Sequence, residues 1–231
     1  MAVVDEVPFI SLNPDITPDP DLGPTPSAAD VARMRRKDPK LSCAWTIWEQ
    51  RGRDSKAQYT DATREVVVVD TVRKFWECWK HLPQPSELLN GKKFFRQNAE
   101  SKTVIESLMI FRKGIRPEWE SPENAEGGHF QVQLKPELGG GTIDEVWNNI
   151  VLGMVGDGIV NGDMINGVRL VDKLSHKTKP GIRIEVWHCA GEDDRLYDLK
   201  GGFEACIGTR MDGARRSATW GYTEIVKHSK K

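Results

Sequence analysis

Trp119 and Glu120 stand side by side in a Pro-flanked stretch, Gly114-Ile115-Arg116-Pro117-Glu118-Trp119-Glu120. An indole offers a flat stacking surface, and the adjacent carboxylate accepts hydrogen bonds through two oxygens. Those are two things a site needs to hold a purine base that presents N–H donors on one edge. A second set lies in residues 182–189, where strict alternation predicts a strand. Arg183, Glu185, Trp187 and Cys189 share one face of it, and Ile182, Ile184, Val186 and His188 the other. Arg183 and Trp187 are then about 13 Å apart along the strand. Lys173, Lys177 and Lys179 lie at the hairpin tip just upstream. A ring placed deep, with cations increasing outward, suits a base that carries a phosphate chain. The same residues also read as a core Trp and a solvated hairpin tip, and spacing alone leaves both readings open.

Composition narrows the classes. The chain has 231 residues and a formal net charge of -1, so no global basic field drives non-specific nucleic-acid binding, and any such contact must be local. Cys43, Cys78, Cys189 and Cys206 are scattered and form no C-x-x-C pair. No metal site is expected from them, and free thiols fit a reducing cytosol or nucleus. Gly139-Gly140-Gly141 lacks the Lys-Ser/Thr of a phosphate loop. With no activated nucleophile either, the expectation is a protein that is not an enzyme and needs no cofactor. No apolar run reaches the roughly 20 residues of a membrane span, and no secretory signal opens the chain.

These groups need elements to position them. Residues 1–35 are Pro-rich and lack periodicity, which predicts a disordered tail before a single domain over 36–231. Strands are expected at 41–50, with Trp45 and Ile47 opposite Trp48, and at 64–69, 107–113, 129–134 and 219–226. Gly158 to Asp172 reads as a strand pair or one bent strand. Asp70 is positioned to cap a helix whose apolar stripe holds Val72, Phe75 and Trp79, with Trp76 at its edge. Thr142 and Glu145 have capping-box spacing ahead of the stripe Ile143, Val146, Trp147, Ile150, Val151 and Met154, with Leu152 pointing away. A third helix is expected around Leu196, Leu199 and Phe203. Lys227, His228, Lys230 and Lys231 form a basic tail. Strands interrupted by two or three helices, without βαβ alternation, predict an α+β protein, one antiparallel sheet with helices on one side.

Taken together, these parts resemble the eukaryotic translation initiation factor 4E family, the mRNA cap-binding proteins. The resemblance is carried by Asp70-Thr71-Val72 with Phe75-Trp76, the Gly114–Glu120 stretch, Gly127-Gly128, Trp147 through Gly156-Asp157, the Arg183–Trp187 strand and Gly221-Tyr222. It implies a curved antiparallel sheet backed by about three helices on its convex face, with 7-methylguanosine held between two rings on the concave face. It implies base contacts from Trp119, Glu120, Trp187 and Tyr59, the last in place of a second stacking Trp. Arg183 and Lys173 fall on phosphate-binding positions, His129 replaces a basic residue near the phosphates, and Lys177 and Lys179 are further candidates. On the convex face, Val72, Trp76 and Leu152 match the surface that takes helical peptides of a factor 4G-like scaffold or of 4E-binding repressors. Asn148, Asn149 and Lys40 depart from the family there, and the segment 83–106 is longer than usual. The implied function is cap binding in translation initiation, in the cytoplasm or also the nucleus. The alternative is a paralogue with weakened cap binding that acts as an interaction or repressing module.

Overall fold

The computed structural model describes residues 27–29, 38–52, 62–97, 102–216 and 224–228. Most of the Pro-rich segment 1–35 therefore lies outside the described residues.

Eight strands form one antiparallel sheet among the described residues: β1 (Lys40–Arg51), β2 (Thr63–Thr71), β3 (Phe94–Gln97), β4 (Lys102–Arg112), β5 (Gly128–Leu134), β6 (Ile165–Asp172), β7 (Ile182–His188) and β8 (Glu224–Lys227). Their order is β2-β1-β4-β6-β7-β5-β8, with β3 on β4. Ile105 of β4 pairs with Arg51 on one side and Phe94 on the other, so β3 extends the edge of β4 that β6 occupies further along. The segment 83–106 thus supplies a 3-10 helix (Pro85–Asn90), β3 and the start of β4.

Alternation divides every central strand. Trp45, Ile47, Leu108, Ile110, Phe130, Val132, Val168, Leu170, Ile184 and Val186 join the main core beneath the helices. Their neighbours Trp48, Met109, Phe111 and Trp187 form a smaller cluster on the opposite, open face. The two faces carry different duties because side chains on a strand point alternately up and down.

Among the described residues, three helices of eight residues or more cover the core: α1 (Val72–Trp79), α2 (Gly140–Val155) and α3 (Asp193–Gly208). The cap of α1 is Thr71, whose side chain accepts from the Lys74 N–H at 3.3 Å, rather than Asp70 as expected. Asp70 instead pairs with Lys74 one turn on, at 2.7 Å. The capping box expected at Thr142 and Glu145 does not form. α2 starts three residues earlier, at Gly140 with Gly139 (φ of 80°) as its cap, and Glu145 pairs with Arg216. Phe75 and Trp79 are buried from α1, and Trp79 lies 6.0 Å from the Trp147 ring of α2.

Candidate functional site

The site is built outward from Trp187 at the centre of the open face. Its register neighbours are His129 on β5 and Gly167 on β6. A Cβ on Gly167 would come within 2.4 Å of the Phe111 ring, so only glycine lets Phe111 set its edge on Trp187, at 5.3 Å and 78°. His129 stacks on Trp187 at 5.9 Å and 20°. The indole Nε1–H donates to Glu185 at 3.1 Å. No part of Trp187 reaches solvent (0 % exposed).

Trp119 sits on the loop after β4 and is 51 % exposed. Gly114, with φ of 92°, turns the chain out of the strand. Asn124, wholly buried, then donates from Nδ2 to the carbonyls of Arg116 and Glu118, both at 2.8 Å. Asn166 of β6 donates in turn to Asn124 Oδ1 at 2.9 Å and to the Glu123 carbonyl at 2.8 Å. The Arg116 guanidinium lies 5.7 Å over Trp48 and pairs with Glu118 at 2.8 Å. The loop is therefore pinned from both sides while Trp119 and Glu120 remain exposed.

His228, one residue past β8, joins the two aromatic groups. Its ring is parallel to Trp119 (5.9 Å, 18°) and 4.5 Å from Trp187. Its Nδ1 donates to the Asn124 carbonyl at 2.9 Å, which leaves Nε2 to accept from His129 Nδ1–H, also at 2.9 Å. Burial pushes the His129 ring down from 6.5 to about 4, and lowers His228 as well. β8 can lie this close because Gly128 has no Cβ, which would stand 2.5 Å from the Val226 carbonyl.

Below the rings, Gln131, Gln133, Lys173, His176, Lys179, Arg183 and Glu224 line a cavity of about 270 Å³. Lys173, Lys179 and Arg183 are thus brought together; Lys177 is exposed at the hairpin tip and does not line it. His129 differs from the expectation of a phosphate-facing cation. It is only 3 % exposed, packs on Trp187, and stays neutral at pH 7, so it offers no charge to an anion. Arg169 is a cation that the sequence reading did not single out. It lies opposite Glu185 in register, with Nη1 3.7 Å from that carboxylate, and donates to Ser107 Oγ at 3.0 Å and Gln50 at 2.6 Å. Its signal was available: on β6 it alternates with the core residues Val168 and Leu170. Tyr59 lies outside the described residues.

On the helical side, Trp76 is 48 % and Leu152 37 % exposed, with Val72 half-buried on α1. Asn148 and Asn149 have internal duties. Asn148 accepts from Trp79 Nε1 at 3.1 Å and donates to Gln84 at 3.0 Å. Asn149 donates to the Cys206 and Thr209 carbonyls, at 3.2 and 2.9 Å, and so ties α2 to the end of α3.

A single antiparallel sheet with helices on one face, and rings and a cavity lined by Lys173, Lys179 and Arg183 on the other, defines an α+β protein. The chain belongs to the Eukaryotic initiation factor 4E family, which it matches over residues 40–212. That is a family of initiation factors, not of enzymes. The chain is 29% identical over 187 residues to eukaryotic translation initiation factor 4E of Saccharomyces cerevisiae, covering 80% of this chain and 78% of that one. It is 33% identical over 135 residues to the initiation factor NCBP of Triticum aestivum, covering 58% of this chain and 48% of that protein. Two solved structures share the fold. Ascaris suum initiation factor 4E-3 in complex with m7G cap has a TM-score of 0.60 at 21% identity, covering 84% of this chain and 99% of that one. Caenorhabditis elegans 4E-3 with the 4E-binding protein Mextli and a cap analog has a TM-score of 0.58 at 20% identity, covering 76% and 88%.

Proposed function

We propose that this protein binds the 7-methylguanosine cap of mRNA on the open face of its sheet and serves in translation initiation. The observation that carries the proposal is the pairing of an exposed Trp119–Glu120 loop with a cavity lined by Lys173, Lys179 and Arg183. Trp119 stacks on the base, and methylation at N7 strengthens that contact because the ring becomes cationic. Glu120 accepts from the N1–H and the exocyclic N–H of guanine. Trp187 meets the N7 methyl, and Tyr59 supplies the opposing ring. Lys173, Lys179 and Arg183 take the phosphates, with Lys177 reaching in from the hairpin tip. His129 shapes the wall rather than supplying charge. The membership of the family and the fold shared with cap-bound 4E-3 proteins support this reading.

The helical face gives the second half of the function. Val72, Trp76 and Leu152 receive a helical peptide of a scaffold or a 4E-binding protein; the Mextli complex of the nematode relative supports a partner of that kind. Retention on 7-methyl-GTP resin, with competition by 7-methyl-GTP and not by GTP, tests the cap reading. Equal competition by GTP, or no retention, contradicts it. The reading as a protein-interaction module with weak cap affinity is favoured by one observation, the complete burial of Trp187. It predicts peptide binding through Trp76 in a protein that the resin does not hold.

A further inference from the structure

β8 carries onto the open face two side chains whose chemistry matches the two halves of a nucleotide. Glu224, Val226 and His228 alternate along the strand, so Glu224 and His228 share a side about 13 Å apart. Arg183 and Trp187 have the same spacing on β7. Glu224 lies opposite Gln131, accepts a hydrogen bond from its side-chain amide, and lines the cavity with Lys173, Lys179 and Arg183. At the other end, the planar His228 ring lies parallel to Trp119 and against Trp187.

The contacts of Trp187 decide what this means. The ring has no exposed surface, so a ligand reaches it only after a covering ring leaves. Phe111 and His129 sit on strands β4 and β5, each paired on both sides, so their backbones are fixed in place. His228 is held more loosely: it follows β8, which among the described residues pairs only with β5, and it is held by one backbone and two side-chain hydrogen bonds.

We infer that the C-terminal strand is an internal occupant of the cap site, with the His228 imidazole in the place of the base and the Glu224 carboxylate in the place of a phosphate. This rests on the function proposed above. A capped RNA must displace His228 from the two indoles before it can stack, and its apparent affinity is lowered by the fraction of molecules in which the site is occupied. The device keeps Trp187 covered in the free protein and makes the C-terminal segment a point of control over cap capture.

The test is titration of 7-methyl-GTP into the full chain, His228→Ala, Glu224→Gln and the double variant, read by quenching of Trp fluorescence. His228→Ala should bind about tenfold tighter, as expected when the occupant loses its ring and two hydrogen bonds. The double variant should bind at least as tightly. Glu224 is an exposed strand residue, so its variant keeps the test open should His228→Ala fail to fold. Wild-type affinity, or weaker binding, in the variants overturns the internal-occupant assignment while leaving cap binding in place. Binding by none of the four proteins overturns the cap reading and this inference with it.

Discussion

His129 Nδ1 and His228 Nε2 lie 2.9 Å apart, a part-buried hydrogen bond between two imidazoles 99 residues apart in sequence. Burial is the main cause that lowers both rings, with His129 taken to about 4 from an ordinary 6.5. The unfolded chain therefore binds protons in a window, from about 6.5 down to 4, where the native protein does not. Stability must fall as pH falls through that window. Thermal melts at pH 7 and pH 5 should show a lower Tm at pH 5, and His129→Gln should reduce the difference. A Tm independent of pH would contradict the neutral pair.

Asn124 ties the Trp119 loop to the sheet through two bonds to loop carbonyls, and Asn166 locks its orientation. Asn124→Ala loses three side-chain bonds of about 1 kcal/mol each, so a destabilisation of about 3 kcal/mol is expected in urea denaturation. The loop should also loosen, and affinity for 7-methyl-GTP should fall even though Asn124 touches no ligand. Asn166→Ala should act in the same direction.

Trp119 and Trp187 should separate stability from binding. Trp187 is wholly buried, so Trp187→Ala should cost about 3–5 kcal/mol, as expected when a large core ring is removed. Trp119 is half exposed, and Trp119→Ala should leave the melting curve nearly unchanged while abolishing capture on 7-methyl-GTP resin.

Trp76 presents an exposed ring on α1 that packs edge-on against Phe75 at 5.3 Å. Trp76→Ala should leave 7-methyl-GTP affinity unchanged and weaken binding of a Tyr-x-x-x-x-Leu helical peptide at least tenfold, measured by calorimetry. Loss of cap affinity in this variant would show the two faces to be coupled.

Local periodicity carried much of this fold into view. Strict alternation in 182–189 placed Arg183, Glu185 and Trp187 on one face, and the stripe of α2 was readable from Ile143 to Met154 because a helix repeats every 3.6 residues. The Trp119–Glu120 loop stood out because its residue types are unusual together. Contacts between distant segments left no such trace. Asn124 and Asn166 are 42 residues apart, and Asn124 and His228 are 104 apart, so no window of sequence contains either pair. His228 read as one more member of a basic tail, when burial lowers its pKa and its ring lies against two indoles. Thr71 displaced Asp70 as a cap for a related reason: β2 runs on to Thr71, which shifts the helix start by a residue.

Under the proposed function, Trp119 stacks on a methylated guanine. Titrating the full chain with 7-methyl-GTP and with GTP, while following Trp fluorescence, tests it most directly. Quenching by 7-methyl-GTP is expected at concentrations about tenfold lower than for GTP, from the cation–π contribution of the methylated ring, and the Trp119→Ala variant should show neither. Equal response to both nucleotides, or undiminished 7-methyl-GTP binding in Trp119→Ala, would contradict it.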